Sequence, residues 1–151
     1  MGRVGQEFKG IVKTGGLWEA MRWLNSQVSY RYSAIFAFQG DTLRNICLVD
    51  KEDPAITGCP DQPITESYCT YIHRTQGHFN VERALQDPRV DGHPKQPSYQ
   101  SYYGIPLFDL TGRMLGTVCH FDSDPVAVQG HVVDTLDDLA PQISEAAFGS
   151  L

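Results

Sequence analysis

The sequence predicts an α+β domain with a central antiparallel sheet, and three observations carry that expectation. Apolar residues recur at helical spacing near each end of the chain: Leu17, Met21, Leu24 and Val28, then Val132, Leu136, Leu139, Ile143 and Ala146. Between them lie strand-like runs rich in β-branched and aromatic residues. Two turn sequences, Gln39-Gly40-Asp41 and Asp109-Leu110-Thr111-Gly112, join those runs in pairs. Helices at both ends with a sheet between them make the α+β class.

The 151 residues suffice for one domain with a core, one that buries roughly 68–70% of its unfolded surface. With 41% hydrophobic and 20% charged residues, the composition is that of a globular chain, not a disordered one. The net charge of −6 argues against a general affinity for nucleic acid or an anionic membrane, since both need clustered Lys and Arg. No apolar run approaches the ~20 residues that span a bilayer. Cys47, Cys59, Cys69 and Cys119 have neither metal-ligand spacing nor a dense disulfide pattern, which reads as a reduced, cytoplasmic protein.

Taken in order, Gly15-Gly16 separates the first stripe from Phe8, Ile11 and Val12, so residues 1–16 read as a separate, weaker helix or a flexible segment. Residues 32–50, YSAIFAFQGDTLRNICLVD, form a hairpin. Three prolines and several acids between Asp50 and Pro63 read as a loop. A helix is expected over about 63–74 with Pro63 in its first turn, followed by a short strand at HFNVE. Asp87-Pro88 opens a short helical turn, the Asp oxygen capping free N–H groups. Tyr99 to Phe108 and Arg113 to Asp122 are two further strands. Pro141 removes the N–H that the carbonyl of Asp137 would accept, so a kink or a restart is expected in the last helix.

A string of short pieces adds to this reading: SYCTYI from Ser67, ALQDPRV from Ala84, YYGIPL from Tyr102, the DLTG turn, and LGTVCHFDSDP from Leu115. In this order and spacing they resemble a GAF domain, the kind often found ahead of bacterial signalling enzymes, and the likeness extends over nearly the whole chain. The resemblance implies terminal helices on one face of the sheet and a ligand pocket under a helix and loop on the other. It also implies a small-molecule sensor in signal transduction, commonly a homodimer, acting through a signalling partner or an output domain not on this chain.

Cys119 and His120 stand side by side in the last strand, so alternation sends them to opposite faces and they form no dyad. With Gly116 opening the strand as in relatives, the resemblance puts Thr117, Cys119 and Phe121 toward the pocket, and Val118 and His120 toward the terminal helices. His120 is then expected to be buried and hydrogen-bonded. Tyr102 lies on the pocket face of the neighbouring strand, Ser67, Cys69 and Thr70 on the helix above it, and His93 and Tyr99 on the closing loop. Such an enclosure suits a small, partly polar ligand, although Tyr99, Tyr102 and Phe121 could simply fill the core.

The alternatives within the family fare less well. Free methionine-(R)-sulfoxide reductases need a nucleophilic cysteine in the closing loop, and ALQDPRVDGHPKQPSY contains none. The Asn-Lys-Phe-Asp-Glu-type signature of cyclic-nucleotide binders is absent, and Cys119-His120 copies a bilin-attachment dipeptide on the wrong element. His93 alone stands where a haem ligand would. No cofactor is named, no metal site is expected, and no catalytic residue is assigned. A purely structural dimerisation module with a collapsed pocket is the third reading.

Overall fold

A computed structural model describes residues 2–149. Its first helix, α1 (Arg3–Gly15), ends where Gly16 takes φ +90°, a conformation that costs a glycine little, and α2 (Leu17–Asn25) starts at once. Phe8 of α1 is fully buried, so this segment is a formed helix with a place in the core. Val28 falls outside α2, contrary to the expected stripe. The Asn25 side chain donates to Ser33 Oγ at 2.8 Å and to the Tyr30 carbonyl at 3.3 Å, holding the turn that ends the helix. Val28 still packs, half-buried, against the same core.

All strand pairings are antiparallel, in one six-stranded sheet of order β3-β2-β1-β6-β5-β4. β1 (Tyr32–Gln39) and β2 (Thr42–Asp50) form the expected hairpin around Gly40, whose φ is +59°. β3 (Gln62–Pro63) is a two-residue edge. The helix expected over 63–74 is divided in two. Pro63 belongs to β3, residues 64–66 make a 3-10 turn, and Ser67 is extended before α3 (Cys69–Thr75) begins. Ser67 Oγ accepts the Cys69 N–H at 3.1 Å, so its hydroxyl serves a donor that a continuous helix would have used.

β4 (Phe79–Val81) follows, and Asp87 accepts the Arg89 N–H at 3.0 Å as its position before Pro88 implies. β5 (Ser101–Phe108) and β6 (Met114–Asp122) are joined through Asp109, whose Oδ1 accepts from the Thr111 and Arg113 amides. α4 (Gly130–Phe148) is continuous through Pro141, so the expected restart does not occur. Val132, Leu136, Leu139 and Ile143 are buried along one side of α4, and this packing carries the helix past the missing hydrogen bond. Ala146 is exposed, and the stripe ends on half-buried Ala147 and Phe148 instead.

The sheet separates two cores. On one face Ile35, Tyr103, Ile105, Leu107 and Val118 meet Phe8, Met21, Leu24 and the α4 residues. On the other, Ala34, Phe36, Leu48, Tyr102 and Cys119 meet Ile64, Tyr68, Cys69 and Ile72. Among the described residues no helix is long and apolar enough to cross a membrane.

Candidate functional site

The second face carries a cavity of about 310 Å³. That lies at the lower end of the roughly 300–1,000 Å³ usual for small-molecule sites. Its floor is sheet: Tyr32 and Phe36 from β1, Leu48 from β2, Tyr102 from β5 and Phe121 from β6. Antiparallel pairing explains the grouping, since Tyr32 stands opposite Phe121, and Tyr102 is opposite Phe121 on its other side. Partners across a ladder share a face. Cys59, Pro60, Asp61 and Gln62 close one side, Ser67 and Tyr68 the top, and Lys95 and Tyr99 the other side.

The aromatic wall is mutually braced. Tyr32 stacks on Phe121 at 4.9 Å, and Tyr99 meets both rings edge-on, at 5.9 and 5.1 Å. Tyr68 donates its hydroxyl to the Tyr99 carbonyl at 2.8 Å, tying α3 to the closing loop. The Arg31 guanidinium lies 4.9 Å from the Tyr32 ring while pairing with Asp50 at 2.9 and 3.1 Å. That hydrogen bond from Arg31 holds the Asp50 carboxyl below its ordinary range.

Of the residues singled out from sequence, Ser67, Tyr99, Tyr102 and Phe121 lie on the cavity wall. Cys69 and Thr117 lie behind Tyr102, with Cys69 Sγ 3.1 Å from the Tyr102 hydroxyl and 3.3 Å from Thr117 Oγ1. Cys119 is fully buried in the same cluster, and Thr70 is buried in α3 off the wall. His93 sits behind Tyr68, ring to ring at 4.8 Å. Its Nδ1 accepts the Lys95 N–H at 3.0 Å, which leaves Nε2 to donate to the Ser67 carbonyl at 3.1 Å. Burial holds this imidazole below its usual value, and both ring nitrogens are already occupied. His120 lies on the opposite face from Cys119, stacked on Tyr30 at 5.7 Å and bonded through Nδ1 to Ser33 Oγ at 2.6 Å.

Sequence reading missed Tyr32, Phe36, Leu48 and Tyr68, Gln62 of β3, and the loop residues Cys59, Pro60, Asp61 and Lys95. Alternation in β1 would have found the first two once β1 was paired with β6. Nothing local marks the loop residues, because a loop has no side-chain period.

The electrostatics leave few charges at the wall. Burial raises the Tyr99 hydroxyl and drives that of Tyr102 well above its ordinary value. Burial likewise pushes the Cys59 thiol up, against the opposing pull of Lys95. Asp61 and Lys95 are the oppositely charged side chains that line the cavity. Among the described residues no group of three or more His, Cys, Asp or Glu could hold a metal ion.

No protein-family profile matches the chain. A cyclic di-GMP phosphodiesterase of Pseudomonas aeruginosa is 35% identical over 66 residues. That match covers 42% of this chain and 11% of the other protein, so the chain spans a small part of that relative's length. Solved structures agree over far more of the chain. The GAF domain of an Acinetobacter phosphoenolpyruvate-protein phosphotransferase superposes with TM-score 0.71 at 12% identity, covering 97% of this chain and 94% of the other. A phycoerythrobilin-bound GAF domain from a cyanobacterial phytochrome gives 0.73 at 11%, with the same coverage of both chains. The free methionine-R-sulfoxide reductase of Neisseria meningitidis, solved with its substrate, gives 0.74 at 15%, covering 97% and 87%. An antiparallel sheet with terminal helices on one face and a helix and loop on the other, shared at this level with GAF domains, gives this chain the GAF fold.

Proposed function

We propose that this chain is a regulatory domain that senses a small molecule and passes the signal to a partner or to an output domain, without catalysing a reaction itself. The observation that carries this reading is the cavity: braced aromatic walls, one acidic and one basic side chain, and no wall thiol activated as a nucleophile. Such a lining fits a small planar or partly apolar molecule with polar groups at its edge. The bilin-bound and substrate-bound neighbours support a small-molecule ligand for this fold, and the cyclic di-GMP phosphodiesterase match supports a signalling setting. A cytoplasmic location belongs to the same reading.

Gly104 provides a test within the protein itself. A Cβ there would stand 2.5 Å from the Tyr102 hydroxyl oxygen and 2.8 Å from two ring carbons. Gly104→Val therefore drives that ring off the strand and toward the cavity. Native mass spectrometry of freshly purified protein is expected to find a co-purifying small molecule that the variant has lost. Thermal shift across a metabolite panel gives the same contrast if the ligand washes out. No stabilising compound for the unmodified chain would sink the sensor reading. Thioredoxin-dependent NADPH consumption with free methionine sulfoxide would replace it with the reductase reading.

A homodimer through the terminal helices is the assembly we propose with it. The structure changes the surface on which that rests. Met21, Leu24, Leu136, Leu139 and Ile143 are buried in the sheet-facing core, leaving half-buried Ile11, Val12, Trp18, Trp23, Ala147 and Phe148 as the apolar fringe. Twofold pairing is the commonest way to cover such a fringe. Sedimentation at micromolar concentration is expected to give twice the chain mass, and a single-chain mass throughout the range rules the dimer out.

A further inference from the structure

Behind the cavity, two thiols meet in a polar setting that packing alone does not require. Cys69 begins α3 and Cys119 lies mid-strand in β6, both with no exposed surface. Cys69 Sγ lies 3.1 Å from the Tyr102 hydroxyl and 3.3 Å from Thr117 Oγ1, and Cys119, two residues beyond Thr117, packs in the same buried cluster. The sheet enforces the meeting. Thr117 and Cys119 share one face of β6, and Gly104 pairs with Cys119. The lack of a side chain at Gly104 lets the Tyr102 ring lie across to Cys69. A cysteine serving as a small hydrophobe gathers no such set of hydroxyls.

We propose that Cys69 and Cys119 are a peroxide-responsive pair that closes into a reversible disulfide beneath the cavity floor. Burial pushes the Cys69 thiol up, but the hydrogen-bonding groups around it outweigh burial and bring it below its ordinary value. Burial and the adjacent Cys69 hold Cys119 well above its ordinary value. Cys69, with the Tyr102 and Thr117 hydroxyls against its sulfur, is the nucleophile, and Cys119 beside it is the resolver. Tyr102 and Ser67 are themselves cavity wall, so a single side-chain layer separates Cys69 from a space that admits hydrogen peroxide.

The chemistry closes without another reactant. The Cys69 thiolate attacks one peroxide oxygen, the O–O bond breaks, and hydroxide leaves to take up a proton as water, giving a sulfenic acid. The Cys119 sulfur then attacks the Cys69 sulfur. The S–O bond breaks, and the Cys119 proton leaves with that oxygen as a second water. Two thiols have lost two electrons, and peroxide has gained them. The product removes the thiolate that the Tyr102 hydroxyl contacts, so the redox state of the pair reaches the cavity wall. This inference does not depend on which ligand, if any, the cavity holds.

Peptide mapping decides it. The reduced full chain is exposed to hydrogen peroxide, its remaining thiols are alkylated under denaturing conditions, and the linked peptides are weighed. The expected result is a Cys69–Cys119 cross-link, two hydrogens lighter than the free pair and reversed by dithiothreitol. It persists in Cys47→Ser and Cys59→Ser, disappears in Cys69→Ser and Cys119→Ser, and forms faster as pH rises. Oxidation confined to Cys59, with Cys69 and Cys119 still alkylated, overturns the proposal. So does peroxide treatment that leaves every thiol free. Should the serine variants fail to fold, mapping the unsubstituted chain still reads the pair directly.

Discussion

Gly116→Ala is expected to cost about 3 kcal/mol or more of stability, in the upper range for an overpacked core position. Gly116 is buried at the start of the β6 ladder, paired with Ala37 on one side and Leu107 on the other. A Cβ there would land on the Phe36 carbonyl oxygen, 2.9 Å from that carbonyl carbon and 3.1 Å from the Ala37 Cα. All three atoms are backbone, so no side chain can swing away to make room. Strands β1 and β6 would have to separate at the centre of the sheet, where the two cores depend on their contact. The requirement for glycine here is one of space, since Gly116 has no positive φ. Urea or thermal unfolding checks the expectation, with a fall in Tm of roughly 2–4 °C per kcal/mol for a chain of this size. A change within about 0.5 kcal/mol would show that β1 and β6 separate without strain.

Acid stability is expected to depend on His120. Its imidazole is held down to about 3 by burial, with the nearby Lys51 charge adding to the effect. Hydrogen bonding explains why the neutral ring is preferred. Asn25 Nδ2 donates to Ser33 Oγ, so the Ser33 hydroxyl donates in turn to His120 Nδ1, which must accept. Nε2 then carries the hydrogen, and it is buried without a partner among the described residues. A second proton would displace the Ser33 hydroxyl hydrogen and place a charge in the helix-side core. The unfolded chain takes up that proton below its ordinary value near 6.5 and the folded chain does not. Stability is therefore complete above pH 6.5 and falls by about 1.4 kcal/mol per unit as pH drops toward 3. His93, also held down by burial, adds a smaller loss of the same sign. Asp50, with its carboxyl depressed by Arg31, adds its loss only below its ordinary value of 3.8. His120→Phe should remove most of the slope between pH 6.5 and 4 in denaturant titrations. An unchanged slope would show that the folded chain protonates His120 freely.

The helices, both hairpins, the Asp87-Pro88 turn and the opposite facing of Cys119 and His120 were legible in the chain itself. Each follows from a period of 3.6 or 2, or from turn residues at fixed offsets, and these are local properties. Several outcomes were not local. Whether Pro141 ends the last helix depends on how firmly Leu136, Leu139 and Ile143 are held by the sheet. Whether residues 63–74 form one helix depends on the Ser67 hydroxyl finding the Cys69 amide. Loop residues Asp61 and Lys95 reach the same cavity as Tyr32 only because the sheet edge and the closing loop converge over it. The meeting of Cys69 with Cys119, and the approach of Phe36 to Gly116, likewise belong to strand register and to helix placement. Periodicity assigns a residue to a face, whereas contact across a ladder or between layers joins residues far apart in the chain, and packing of the whole domain selects those pairs.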